Sequence, residues 1–268
     1  MIGRNVPAYR QIIVGRLRMA VTYRQNALLL LATVLVQIFV LRQIWTALYA
    51  GHDVVAGLDL QAVLAYITIA NLQNWALQDP EISSYMHGRI REGQVAFDLL
   101  RPAGFVPQMV AHLAGASLVM AAFVVVVLPF LAVFGGLQPP ASPTAFVLWL
   151  PSLLCGYAVA VLLNLTVGLT GFWTIEINGV MLFYYLINQF LAGALVPLPL
   201  FPDALRALTE LLPFQATTYT PTAIYLGRLT GSDALAAFAV QAIWVLLLAA
   251  GARQLWRLAM RRVVVQGG

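Results

Sequence analysis

Lysine is absent from this sequence, cysteine occurs once, and charged residues of either sign make up only 9%. Soluble domains carry roughly 25% charged residues, so this scarcity of charge excludes a water-solvated globule of 268 residues. With 61% of residues hydrophobic and a mean hydropathy of +0.85, most of the outer surface must face lipid. The missing lysine also excludes a Walker A loop, whose ammonium group holds phosphate. The chain therefore cannot work as a P-loop ATPase on its own.

Chemistry is equally sparse. One cysteine, Cys155, allows neither an internal disulfide nor a cysteine metal cluster, and its apolar run marks it as a small buried side chain. His52, His87 and His112 form no HExxH pattern, and no carboxylate sits at a metal-binding offset from them. A hydrogen-bonded structural role is the reading for His112. Ser83, Ser84, Ser117, Ser142, Ser152 and Ser232 lack the G-x-S-x-G context of a nucleophile. The chain is expected to bind no cofactor and no metal, and to be non-catalytic.

What is present is a series of apolar runs. A spanning helix needs about 20 mainly apolar residues, and six runs qualify: Ala27 to Leu48, Leu60 to Gln78, Pro107 to Gly135, Ala145 to Trp173, Asn178 to Pro197 and Ala234 to Leu255. The second is the least apolar, interrupted by Asn71, Gln73 and Asn74, which need a face turned toward protein or water. All fifteen cations are arginines, and the net charge of +5 is read as a topology signal rather than as a nucleic-acid surface. Twelve of them fall before the first run, between the second and third, or at and beyond the end of the sixth. With six spans these segments share one side, which the positive-inside rule makes cytoplasmic, with both termini. Arg42, near the outer end of span one, reads as snorkelling to headgroups.

The flanks fit that topology. The first 26 residues are too polar and long for the start of a signal peptide and are expected to be retained. Within them Tyr9, Ile12, Ile13, Leu17 and Ala20 share one helical face and Arg10, Gln11, Arg18, Thr22 and Gln25 the other, suiting an interfacial helix or a basic topogenic segment. After span two, Asp79-Pro80-Glu81 is a helix-start signature and Gly93 a stop, so a short helix is expected from Pro80 to Glu92, with Arg89 and Arg91 near its C-terminal end. Val95, Phe97, Leu99 and Leu100 follow, ending at Arg101-Pro102, and such exposed apolar side chains imply docking. On the outer side, Pro197 to Ser232 is too short for two spans and too apolar for a solvated loop, so re-entrant short helices are expected, one at Ala204 to Leu212 capped by Asp203 and stopped by Pro213. All ten acids fall at predicted ends or loops, and Glu176 lies in the turn Trp173 to Asn178. No ion-coupling acid is evident, so the energy source is expected to be another protein.

Several strings in order resemble the ABC-2 family of exporter permeases: IREGQVAFDLLRPA (Ile90 to Ala103), which is similar to an isoleucine, glycine, leucine-leucine-arginine-proline stretch of one subfamily; Gly171-Phe172-Trp173-Thr174; and FPDALRALTELLPF (Phe201 to Phe214) followed by Pro221 and Gly227. The resemblance implies an all-α integral membrane protein with six transmembrane helices, an amphipathic elbow over 1–26, a permease domain over 27–257 and a tail over 258–268. Its coupling segment, 79–106, would meet an ABC ATPase subunit through Glu81, Arg89, Ile90, Arg91, Phe97, Leu99, Leu100 and Arg101, although topology alone also accounts for these arginines. Its outer re-entrant segment, 197–232, would shape an exit gate at Phe201, Pro202, Leu212, Pro213, Phe214 and Pro221.

The same resemblance implies two permease chains, identical or homologous, with two ATPase subunits that carry the ATP and Mg, in a bacterial inner membrane. Spans one, two and five would line the path between the permeases. Asn71, Gln73, Asn74, Asn164, Asn188 and Gln189 either face that path or make interhelical hydrogen bonds. The competing expectation is an ATP-independent channel or secondary transporter, suggested by the polar residues of span two and by Glu176.

Overall fold

A computed structural model describes residues 6–22, 24–51, 53–55, 57–77, 81–101, 104–134, 136–174 and 176–262. The Asp79-Pro80 start signal, Gln78, Pro102, Ala103, His52 and the last six residues lie outside these described residues, as does the side chain of Glu81. The chain is nearly all helix. Its α-helices are α1 (Val6–Thr22), α2 (Arg24–Leu48), α3 (Leu60–Leu77), α4 (Glu81–Arg91), α5 (Val95–Leu100), α6 (Phe105–Phe134), α7 (Pro143–Leu169), α8 (Asn178–Leu191), α9 (Asp203–Glu210), α10 (Tyr219–Tyr225) and α11 (Gly231–Met260). A two-residue hairpin, Val54–Val55 against Leu58–Asp59, joins α2 to α3.

Among the described residues four helices, α2, α6, α7 and α11, contain segments long and apolar enough to cross a membrane. Only 22% of the most apolar stretch of α6 and 11% of that of α11 is buried inside the chain. Their outward side chains, Val125, Val126 and Val133 on α6 and Leu246 on α11, are more than 60% exposed, which in water would be untenable and in hydrocarbon costs nothing. The two other expected spans differ. Helix α3 is 18 residues long but carries the three polar residues noted above, and α8 ends after 14 residues. At 1.5 Å per residue α8 is about 21 Å long, short of a hydrocarbon core of about 30 Å. The expected run to Pro197 is broken instead by a turn at Ala192 and Gly193 and a 3-10 turn, Leu198–Leu200.

One end of the bundle gathers the arginine-bearing segments. Phe105, at the start of α6, stacks on Trp256 of α11 with ring centroids 5.3 Å apart, and Phe172, just beyond α7, packs edge-on against the same indole. Met86 of α4 sits fully buried among Phe105, Met109, Leu113, Leu165 and Leu169. Helix α1 lies along the first half of α6. The contact is close because residue 115 is glycine: a β-carbon there would fall 2.9 Å from Cβ of Arg16 and 3.2 Å from Cα of Ile13. The expected interfacial helix is thus packed on the bundle through Ile13 and the Arg16 stem. His112, half-buried beside it, lies with its ring 4.9 Å from that of Tyr85 and has no hydrogen-bond partner at Nδ1.

At the opposite end Trp45, Tyr49, Leu58, Val63, Tyr66 and Ile67 form a second core. Ser142 caps α7 by accepting the Ala145 N–H at 3.0 Å, with Pro143 as first helical residue. From this end the segment after α8 dips alongside α7. Residue 156 is glycine, and a β-carbon there would meet the carbonyl oxygens of Ala216 and Thr217 at 2.8 and 2.9 Å. Gly156 lies about 20 Å along α7 from its start, so the turn Phe214–Ala216 reaches the middle of the bundle before α10 returns. The Ala141 N–H bonds the Tyr225 carbonyl at 3.0 Å, closing that return.

Candidate functional site

The expected helix at Pro80 to Glu92 is present as α4, and Gly93, at φ +70°, reverses the chain into the unanticipated α5. Only a residue without Cβ takes that left-handed turn cheaply. The two helices are clamped together. Arg89 donates through Nε to Asp98 Oδ2 and through Nη2 to Asp98 Oδ1 at 2.8 Å, a bidentate pair with a carboxylate that is almost fully buried. This hydrogen bond raises the affinity of the Arg89 guanidinium for its proton further above its ordinary range. The Tyr85 ring lies 5.7 Å from the same guanidinium, and Arg101 Nη1 stands 3.4 Å from Asp98 Oδ1.

The clamp sorts the segment's side chains. Arg89 is engaged within the chain, Ile90 reaches toward Gly171, and Leu99 packs on the core around Met86 and Phe105. Phe97 and Leu100 point away from the bundle, 69% and 83% exposed, with Arg91 and Arg101 exposed beside them. The result is a clamped projection with two apolar tips and two exposed cations, of which Arg101 is also within reach of Asp98. Asp98 was legible only as a loop acid, and its nine-residue offset from Arg89 carries no helical periodicity that would have paired them.

The polar residues of α3 are drawn inward. Asn71 Nδ2 donates to the Ile67 carbonyl at 2.9 Å and to the Ala194 carbonyl at 3.0 Å, while its Oδ1 accepts from Gln37 Nε2 at 3.0 Å. Asn74 Nδ2 donates to Gln189 Oε1 at 2.8 Å, and Gln189 Nε2 donates to the Tyr185 hydroxyl at 2.9 Å. Gln73 Oε1 accepts from the Thr222 hydroxyl at 3.2 Å. Asn188 is fully buried on α8. Asn164 of α7 donates to the Ala160 carbonyl at 2.9 Å, while its own carbonyl accepts from the Ser83 hydroxyl at 3.1 Å. Within this chain, then, Asn71, Gln73, Asn74 and Gln189 tie α3 to α2, α8 and α10. Gln73 Nε2 and Asn74 Oδ1 are buried without a hydrogen-bond partner.

In the dipping segment Phe201 is buried and stacks on Phe190 at 4.9 Å. Pro213 and Pro221 are buried, Leu212 and Phe214 half-buried, and Pro202 exposed. Helix α9 starts one residue earlier than expected, so Asp203 is its first residue rather than its cap. Its side chain makes no capping bond and stands 3.9 Å from Arg206. At the bottom of the dip a residue not anticipated from sequence does the polar work. Gln241 of α11, fully buried, donates to the Ala216 carbonyl at 2.8 Å and the Ser152 carbonyl at 3.1 Å, and accepts from the Ser152 hydroxyl at 2.9 Å. An amide in the middle of the apolar run of the last helix was its only signal. Among the described residues no group of three or more His, Cys, Asp and Glu side chains is placed to hold a metal.

Comparison with known proteins agrees with this architecture. The sequence model of a family described as "ABC-2 family transporter protein" matches residues 31–267. No curated protein and no solved structure gives a significant match.

Proposed function

Because the chain belongs to the ABC-2 transporter family, we propose that it is the membrane-spanning permease subunit of an ATP-driven exporter, worked by a separate ABC ATPase that carries the ATP and Mg. The observation that carries this reading is the α4 and α5 projection. Phe97 and Leu100 are exposed apolar tips flanked by Arg91 and Arg101, an exposed apolar patch with a polar rim of the kind that marks a protein contact. The Arg89 to Asp98 clamp supports a lever role, since a segment that transmits force must keep its two helices fixed to each other.

In this reading α3 and α8 complete six crossings together with α2, α6, α7 and α11. The arginine-rich end faces the cytoplasm of a bacterial cell with both termini, and the 197–232 segment is re-entrant from the outer side, with Phe201, Pro202, Leu212, Pro213, Phe214 and Pro221 about the exit. A second permease chain, identical or homologous, forms the other wall of the path. ATP-driven closure of the ATPase pair moves the projection and shifts the permease interface between inward-open and outward-open states. Asn71, Gln73, Asn74, Asn188 and Gln189 serve this path by holding its helices rather than by offering free polar groups to cargo. The ATP-independent alternative draws less support: Glu176 is exposed and accepts the Asn178 N–H at 2.9 Å, the position of a capping acid rather than a buried proton carrier.

The test is copurification with an ATPase encoded nearby, followed by ATP hydrolysis in nanodiscs. Phe97→Asp with Arg91→Glu is expected to abolish complex formation while leaving membrane insertion intact. Unchanged complex formation and hydrolysis would overturn the docking assignment.

A further inference from the structure

Away from the projection, the polar network and the dipping segment, a groove of about 480 Å³ opens between α2 and the far end of α6, within the roughly 300–1,000 Å³ span of small-molecule sites. Its walls are apolar, led by Phe39 of α2 and by Phe130 and Phe134 of α6, whose two rings lie 4.8 Å apart. Its polar groups are all on α2, namely Arg42, Gln43 and Thr46, and none of the ten residues that line it is acidic. Among the described residues Arg42 has no ion-pair partner. It lies six residues, about 9 Å, before the end of α2 and is half-buried. A long cationic side chain less than two turns from a helix end reaches the headgroup level, where lipid phosphate is the anion on offer.

We propose that this groove seats one anionic phospholipid per chain, with its phosphate on Arg42 and an acyl chain along Phe39, Phe130 and Phe134. The guanidinium fork matches phosphate oxygens bidentately. A headgroup of phosphate and neutral hydroxyls gives Gln43 and Thr46 something to bond. A zwitterionic headgroup would instead bring an ammonium beside Arg42 where the groove offers no carboxylate to receive it. A second copy related by two-fold symmetry is the poorer occupant, because a contact over this groove would bury two Arg42 guanidiniums, one from each chain, against a lining that offers no carboxylate. The seat requires only that α2 and α6 lie in a bilayer and stands apart from the ATPase partnership.

Native mass spectrometry of the full chain in neutral detergent tests it, titrating phosphatidylglycerol against phosphatidylcholine of the same acyl chains. The wild type is expected to retain one phosphatidylglycerol about tenfold more tightly, the equivalent of one charge-assisted hydrogen bond. Arg42→Gln erases that preference and Arg42→Lys keeps part of it, whereas Arg253→Gln, at the arginine-rich end, leaves it intact. If Arg42→Gln does not insert, Phe134→Ser keeps the cation, shortens the wall and lowers retention of both lipids. Equal retention of the two lipids by the wild type, or an undiminished preference in Arg42→Gln, overturns the proposal. So does a Phe39→Cys chain that cross-links to a second copy through the groove. No arm uses an ATPase, so a failure here and a failure of the exporter reading are told apart.

Discussion

Replacing Gln241 by leucine tests how the dipping segment survives without water. Leucine fills nearly the same volume, so the loss is almost purely of hydrogen bonds: donation to the Ala216 carbonyl at 2.8 Å and to the Ser152 carbonyl at 3.1 Å, and acceptance from the Ser152 hydroxyl at 2.9 Å. These three do not weigh equally. The Ser152 carbonyl lies within α7 and has a helical N–H available, and the Ser152 hydroxyl can rotate to a carbonyl one turn back. The Ala216 carbonyl belongs to a 3-10 turn at mid-bundle, pressed against Gly156. An orphaned buried carbonyl costs about 1–3 kcal/mol, while side-chain hydrogen bonds between membrane helices average about 0.6 kcal/mol. Gln241→Leu is therefore expected to destabilise the chain by about 1–3 kcal/mol and Ser152→Ala by under about 1 kcal/mol, read from reversible denaturation in mixed micelles. Equal losses for the two variants, or a Gln241→Leu loss below about 0.5 kcal/mol, would refute the assignment of Gln241 to the turn.

Three further outcomes are expected. Arg89→Met leaves the Asp98 carboxylate buried with only the largely exposed Arg101 nearby, a loss of about 2–3 kcal/mol and faster proteolysis near Gly93; the double variant Arg89→Met, Asp98→Leu recovers most of it, and no recovery would show that the pair is not the clamp. Gly115→Leu drives a side chain into Arg16 and Ile13 and is expected to lift α1 from α6, raising tryptic cleavage at Arg16 and Arg18 in nanodiscs; unchanged cleavage refutes the packing. A double-mutant cycle on Asn74→Leu and Gln189→Leu should give a coupling of about 0.5–1.5 kcal/mol, and zero coupling would detach α3 from α8.

The features imposed by the bilayer were legible in the sequence. A fixed hydrocarbon thickness demands apolar runs of a fixed length, and α6, α7 and α11 fall within a few residues of the expected bounds. Short-range chemistry was legible as well: Gly93 ends α4 because a left-handed turn is needed there. Features set by long-range partnership were not. Asn74 meets Gln189 across 115 residues and Gln241 meets Ser152 across 89, separations that no periodicity encodes. The early end of α8 has a local cause that the apolar count of Ala192 to Pro197 hides: Gly193, at φ +80°, ends the helix, with its own N–H and that of Ala194 bonding the Phe190 and Gln189 carbonyls; Asn71 and Tyr66 then bind the Ala194 and Gly193 carbonyls, each at 3.0 Å.

These two kinds of bond divide the molecule mechanically. At the arginine-rich end the contacts are an ion pair, stacked aromatic rings and a fully buried methionine, so α4, α5 and the adjoining ends of α6, α7 and α11 are packed to move as one body. Around α3, beside the apolar packing of Val63, Tyr66 and Ile67, the joints include amide hydrogen bonds with unpaired atoms next to them, Gln73 Nε2 and Asn74 Oδ1. Such a joint loses little when one bond is exchanged for another, since an alternative acceptor or donor is already in place. If a partner pushes on Phe97 and Leu100, the packed first region bears the push, and the second is where hydrogen bonds have alternatives. The location of give in this chain thus follows from where its hydrogen-bonding capacity is left over, at the junction of α3 with α8 and α10.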